Sequence, residues 1–148
     1  AVAGGIPIIK ALVEGAAANR IARVYGLMNG TCNYILSRME AEGLDFGPVL
    51  ADAQALGFAE ADPSFDIDGI DTAHKLAILA ALAFGSRIDF AGVACEGIRA
   101  ISATDIAQAA ALGFRIKLVG LAEASDGALF QRVHPALVPL AHPLATTS

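Results

Sequence analysis

Between Gly57 and Lys75 the chain reads Gly-Phe-Ala-Glu-Ala-Asp-Pro-Ser-Phe-Asp-Ile-Asp-Gly-Ile-Asp-Thr-Ala-His-Lys. Five carboxylates (Glu60, Asp62, Asp66, Asp68 and Asp71) crowd a loop that leads into a helix, and Lys75 follows one helical turn after the last of them. On a helix starting near Gly69, Asp71 and Lys75 are i and i+4 and share a face. Continuing that face gives Ile78, Leu79 and Leu82, which places the polar pair at the mouth of an apolar stripe running into the core. The carboxylates favour the charged lysine, whereas desolvation and the positive end of the helix dipole disfavour it. Such a lysine is a potential proton carrier. The bland alternative is a surface ion pair contributing about 0.3–0.5 kcal/mol. The crowd of upstream carboxylates favours chemistry over solubility.

Other chemistries fit less well. Ser64-Phe65-Asp66-Ile67-Asp68-Gly69 mimics the start of a calcium loop, but the glutamate required at loop position 12 is replaced by Lys75, whose charge repels a cation. No G-x-G-x-x-G follows a strand, and no G-x-x-x-x-G-K-[ST] occurs. His74, His134 and His142 are too dispersed for a metal cluster. His74 points about 100° away from Lys75 on the helix, which suits a structural role. His134-Pro135 and His142-Pro143 read as strand-end or turn residues.

The elements that must position the acidic run follow from punctuation and periodicity. Pro7 suits a first helical turn, followed by Ile8, Ile9, Leu12 and Val13 at helical spacing. Residues 21–27 read as a strand ending at the turn dipeptide Asn29-Gly30. Thr31 can then cap a helix carrying Tyr34, Ile35, Leu36 and Met39, which stops near Gly43. Pro48 opens a short helix ending at Gly57, and Asp68 or Gly69 begins a long one through Phe84. Ser102 to Asp105 has capping-box spacing before Ile106 to Leu112, with Gly113 as terminator. Arg115 to Ala122 and Leu129 to Val138 read as strands joined by a turn at Ser125-Asp126-Gly127. Helices preceding a final strand pair predict an α+β (or open-faced α/β) class, with helices packed on one face of a mixed sheet.

Composition narrows the functional classes. The 148 residues suit one domain with a sizeable core. Apolar residues make up 55% and mean hydropathy is +0.58, so some surface is expected to be covered by a partner or by further sequence. The longest apolar run, Leu76 to Phe84, is far short of the ~20 residues that span a bilayer. A net charge of −5 without a basic cluster argues against nucleic acid. Cys32 and Cys95, unpaired by motif and without a secretory signal, read as free thiols in a reducing, cytoplasmic compartment. A start at Ala1-Val2-Ala3-Gly4-Gly5 and an end at Thr146-Thr147-Ser148 suggest an excised piece of a longer protein.

With these residues in hand, the chain resembles homoserine dehydrogenase. The family pattern appears as Ala53, Gly57-Phe58-Ala59, Asp62-Pro63, Asp66-Ile67, Gly69, Asp71 and Lys75, without departure. Ala3-Gly4-Gly5-Ile6-Pro7-Ile8-Ile9 and Asn29-Gly30-Thr31-Cys32-Asn33-Tyr34-Ile35-Leu36 are similar to the same family, so the likeness covers essentially residues 1–148. It implies interconversion of L-homoserine and L-aspartate-4-semialdehyde with NAD or NADP, in threonine, methionine and isoleucine biosynthesis. It implies Lys75 as general acid/base, Asp71 as its orienting partner on the same substrate oxygen, and Glu60 as counter-charge to the substrate ammonium. Asp66 and Thr31 would join the substrate shell, and Gly57 would let the backbone approach the cofactor. Backbone carbonyls of Val2, Gly4 and Ile6 would hold a sodium ion in a site left incomplete here. The resemblance also implies a homodimer formed through the sheet, and a Rossmann domain that this chain lacks, so the chain by itself is expected not to turn over homoserine. The competing reading is a non-catalytic dimerisation or regulatory module with the acidic run as solvated surface. A related dehydrogenase acting on another aldehyde is a third.

Overall fold

The computed structural model describes residues 2–125 and 127–147. Its sheet has four strands: β1 (Arg23–Gly26), β2 (Ala94–Cys95), β3 (Phe114–Ser125) and β4 (Ala128–Pro139), in the order β1-β3-β4-β2. β3 and β4 form a long antiparallel hairpin, registered from Phe114 opposite Pro139 to Ser125 opposite Ala128. β1 adds antiparallel to β3, opposite residues 120–123 only, and β2 adds parallel to β4. Side chains alternate faces along a strand. On β3, Ile116, Leu118 and Ala122 accordingly join one core with the helices, while Val119 packs with Val138 and Ala145 in a small separate cluster.

The helices are α1 (Ile8–Lys10, running into a π-helical turn, Ala11–Gly15), α2 (Gly30–Glu42), α3 (Phe46–Ala55), α4 (Ser64–Ile67), α5 (Ile70–Phe84) and α6 (Ala103–Ala111). α2 buries Cys32, Ile35, Leu36 and Met39, a three-four spacing that lines one helical face against the sheet. α5 contributes Ala73, Leu76 and Ala80 to the same core, and α6 contributes Ile106. The α+β class with helices on a mixed sheet is therefore the observed architecture. The capping box also forms: Ser102 Oγ accepts from Asp105 N at 3.1 Å, and Ser102 N donates to Asp105 Oδ2 at 2.8 Å.

Several local expectations are corrected. Asn29, not Thr31, caps α2: it is extended at φ −133°, ψ 120°, and its Oδ1 accepts from Cys32 N at 2.8 Å. α3 begins at Phe46, so Pro48 sits inside the first turn, where its missing N–H has no intrahelical role. β1 spans only Arg23–Gly26, because beyond Gly26 the chain leaves β3 to feed the start of α2. α4 and β2 were not expected; at four and two residues they are too short to show periodicity. His134 lies in the middle of β4, not at its end, and Pro135 is tolerated because β2 pairs only as far as Val133. The buried stripe of α5 is Thr72, Ala73, Leu76, Ala77, Leu79 and Ala80, while Leu82 is 40% exposed. Lys75 thus lies on the margin of that stripe, not in line with it. Ile8 and Leu12 are half-buried while Ile9 and Val13 remain exposed, so only part of the amino-terminal apolar face is covered by the described residues. The strands expected at 115–122 and 129–138 extend further than that, and Asp126 of the expected turn lies outside the described residues.

Candidate functional site

The acidic run folds into a tight corner in which α4 leads directly into α5. Gly69 turns the chain at φ +83°, and a Cβ there would stand 3.0 Å from Cys95 Sγ and 3.1 Å from Val133 Cγ1. Asp68 is gripped by Arg99, whose Nη2 also donates to Ser64 Oγ at 2.9 Å. Gly97 packs so closely that a Cβ would meet the Ile67 carbonyl at 2.1 Å, and Ile98 N donates to that same carbonyl at 2.8 Å. Asp62 Oδ1 accepts from Ser64 N at 3.1 Å; the Ser64 side chain, and then this backbone N–H, hold its carboxyl below the usual carboxylate range. Asp62 and Asp68 are therefore parts of the corner's frame.

Asp66 and Asp71 form one network with the lysine. Lys75 Nζ donates to Asp71 Oδ2 at 2.6 Å and to the Met28 carbonyl at 2.9 Å. Asn29 Nδ2 donates to Asp71 Oδ2 at 2.9 Å and to Asp66 Oδ1 at 2.6 Å. Thr31 Oγ1 lies 3.0 Å from Asp66 Oδ2 and 3.3 Å from the Phe58 carbonyl, and its single hydrogen favours the nearer, charged acceptor. An amide NH2 carries two donor hydrogens, so Asn29 can bridge two carboxylates that would otherwise repel. Its oxygen meanwhile caps α2, so the amide orientation is set on both sides. Below the network, Cys32 Sγ donates to the Asp66 carbonyl at 3.2 Å. Burial, then the nearby Asp66, Asp71 and Asp68, push that thiol up to about 12.

Lys75 and Asn29 face a cavity of about 590 Å³, whose walls include Ile6, Tyr25, Met28, Asn33, Leu79 and Thr147. Two of the three ammonium hydrogens of Lys75 are committed; the third meets no acceptor among the described residues. A half-buried ammonium with one open donor, beside a cavity with mostly apolar walls, can hold a ligand oxygen and exchange a proton with it.

Of the expected site residues, Lys75, Asp71, Asp66 and Thr31 are brought together. Glu60 is not: it is exposed, and its carboxylate makes no hydrogen bond or ion pair among the described residues. Its backbone carbonyl accepts from Gln54 Nε2 at 2.9 Å. Gly57 stands at φ +79° with open space where a Cβ would be. Val2, Gly4 and Ile6 line the cavity, but their fit to a cation is incomplete. The Ile6 carbonyl already accepts from Ile8 N at 2.8 Å. Three neutral carbonyls fall short of the six or so oxygens a hard cation takes. Nor does any group of three or more His, Cys, Asp or Glu among the described residues suit a metal. The segment does not by itself make a cation site. Asn29 and the Met28 carbonyl are the partners that sequence reasoning missed. The signal for Asn29 was its strong N-cap preference ahead of an apolar-periodic run, masked by reading Asn-Gly as a turn. His74 is held in a ring stack, 3.9 Å from Phe90 and 5.7 Å from Phe65.

Residues 7–148 match the family described as homoserine dehydrogenase. A homoserine dehydrogenase of Synechocystis sp. is 57% identical over 152 aligned residues, covering 100% of this chain and 35% of the relative. The chain thus spans about a third of the length of the curated relatives it matches. The crystal structure of a homoserine dehydrogenase from Thiobacillus denitrificans superposes with a TM-score of 0.96 at 52% identity, over 98% of this chain and 34% of that one. A hyperthermophilic archaeal homoserine dehydrogenase in complex with NADPH superposes with a TM-score of 0.78 at 29% identity, over 97% of this chain and 40% of that one.

Proposed function

Because the chain belongs to the homoserine dehydrogenase family, we propose that it is the substrate-binding and proton-handling domain of an oxidoreductase. That enzyme interconverts L-homoserine and L-aspartate-4-semialdehyde with NAD or NADP, in the biosynthesis of threonine, methionine and isoleucine. The observation that carries this reading is the Lys75 ammonium, fixed by Asp71 and the Met28 carbonyl with its third donor open beside the cavity.

A nicotinamide cofactor supplies the hydride chemistry when bound, as the NADPH of the archaeal relative suggests. No glycine-rich phosphate loop occurs in this sequence, so the cofactor would be held largely outside this chain, with the open backbone at Gly57 as a point of approach. Lys75 handles the proton at the substrate's terminal oxygen. As amine it takes the hydroxyl proton when homoserine is oxidised; as ammonium it returns one when the aldehyde is reduced. Asp71 aims Lys75 and accepts from the same oxygen when that oxygen bears hydrogen. Asn29 holds Asp71 and Asp66 at fixed separation, and Thr31 braces Asp66. Glu60, exposed and with its carboxylate unpaired among the described residues, is the carboxylate available to a substrate ammonium. The chain would act as part of a longer polypeptide that carries the cofactor domain. The outer sheet face, with Tyr25 and Phe130 exposed at 51% and 52%, is the surface through which two copies would pair. No helix among the described residues is long and apolar enough to cross a membrane, and a cytoplasmic setting is part of the proposal.

Steady-state kinetics of the full-length polypeptide with Lys75→Ala test the assignment. The expected result is a fall in kcat of about 10²–10⁴-fold with a modest change in KM; an unchanged kcat removes Lys75 from its role. The exposure of Glu60 favours a second reading, a dimerisation or regulatory module. Glu60→Gln decides between them, because the substrate-binding reading requires a higher KM for homoserine and the module reading requires none.

A further inference from the structure

Arg115 and Lys117 are two residues apart on β3 and therefore share a face, in the stretch that β1 does not reach. Arg115 Nη1 donates to the Ala145 carbonyl and Lys117 Nζ to the Thr147 carbonyl, each at 2.6 Å. Both residues also reach α2, at positions one helical turn apart. Arg115 Nε donates to Glu40 at 2.9 Å, and Lys117 Nζ donates to Asn33 Oδ1 at 2.7 Å and Ser37 Oγ at 3.3 Å. Two rungs thus tie residues 143–147 across the edge of β3 to α2. The outer rung holds an ion pair. The inner one is a lysine, 2% exposed, whose three donors all go to neutral groups.

An apolar side chain of similar volume would fill the space but leave the Asn33, Ser37 and Thr147 oxygens without their donor, so what the lysine adds to packing is the clamp itself. Two of its three partners, Asn33 and Thr147, line the cavity beside Lys75, and Thr147 also lines a smaller one of about 320 Å³ behind it. We propose that Lys117 is a positioning residue that sets one wall of the substrate cavity by clamping Asn33 and the Thr147 backbone together. The proposal rests on the homoserine dehydrogenase reading for what fills the cavity, and not on the role of Lys75.

The test is steady-state kinetics of the full-length polypeptide with L-homoserine and NADP, for Lys117→Met, Asn33→Ala and the double variant, beside thermal melts. A displaced wall raises KM for homoserine roughly tenfold in each single variant, with kcat within about threefold of the parent. Because both substitutions break the same contact, the double variant is expected to match the worse single one. Asn33→Ala keeps the test open should Lys117→Met fail to fold. A KM within about twofold of the parent, with kcat and melting temperature falling together, makes Lys117 purely structural and overturns the proposal; so does a KM rise that is fully additive in the double variant. Lys75→Ala in the same assay reports separately on the underlying reading.

Discussion

Lys75 and Lys117 are the same residue type in opposite circumstances. Lys75 keeps a side chain 24% exposed, faces a carboxylate at 2.6 Å and leaves one ammonium hydrogen open to a cavity. Lys117 is buried beside that cavity, donates to no carboxylate among the described residues and has every donor filled. Residue type and burial alone would rank Lys117 as the more unusual group. Donor accounting reverses the ranking: only a lysine with an unfilled hydrogen and a route to ligand can move a proton. The difference teaches that Lys75, the proposed proton carrier, is held firmly but not completely, while Lys117 is held completely.

The sharpest way to break this contrast is to keep the charge at position 75 and remove its ability to exchange a proton. Arginine remains charged and presents its donors in a rigid fork. Lys75→Arg is therefore expected to lower kcat by about 10²-fold or more in the full-length polypeptide. Folding stability should change by under about 1 kcal/mol, as for a half-exposed ion pair. An active Lys75→Arg variant would mean that charge, not proton transfer, is what the site needs.

A smaller effect sharpens the comparison at Asn29, which keeps the carboxylates around Lys75 in order. Asn29→Asp retains the helix cap but exchanges the bridging donor for a third carboxylate beside Asp66 and Asp71. At pH 7 this is expected to destabilise the fold by about 2 kcal/mol in urea unfolding. The added carboxylate at position 29 repels its neighbours only while it is ionised, so the deficit should shrink as pH falls toward about 4. Asn29→Ala also loses stability, without that recovery. If the two variants follow the same pH course, Asn29 acts only as a cap.

How much of this was legible in sequence depends on how far apart the partners lie along the chain. Asp71 and Lys75 are one helical turn apart, so their pairing follows from helix geometry, and the punctuation at Gly69 and Gly85 set the limits of α5. Asn29 lies 37 and 42 residues from the two carboxylates it joins, and no local pattern encodes that approach. Lys117 was hidden differently. In Arg115-Ile116-Lys117-Leu118-Val119 it reads as the solvent side of an alternating strand, and α2 together with the segment folded over the β3 edge buries it. Glu60 shows the converse, since the family resemblance gives it a role that the packing of this chain neither requires nor forbids.

The smallest effect pits the buried lysine against a buried thiol in alkaline solution. Cys32 titrates near 12 in the fold against 9.0 for an ordinary thiol, chiefly because of burial. Between those values the unfolded chain has given up a proton that the native state keeps, so stability falls as pH rises. Lys117 has its pKa lowered from 10.5, first by burial and then by Arg115. Its unfolded form holds the proton longer, so stability rises as pH approaches 10.5 from below. Urea unfolding between pH 8 and pH 11 should therefore show opposite changes in the two variants. Cys32→Ala should flatten the alkaline decline, by at most about 1.4 kcal/mol per pH unit, and Lys117→Met should steepen it. A Lys117→Met variant with the same alkaline slope as its parent would show that the lysine is hydrated in solution, and that the sealed wall drawn between the two cavities is open to water.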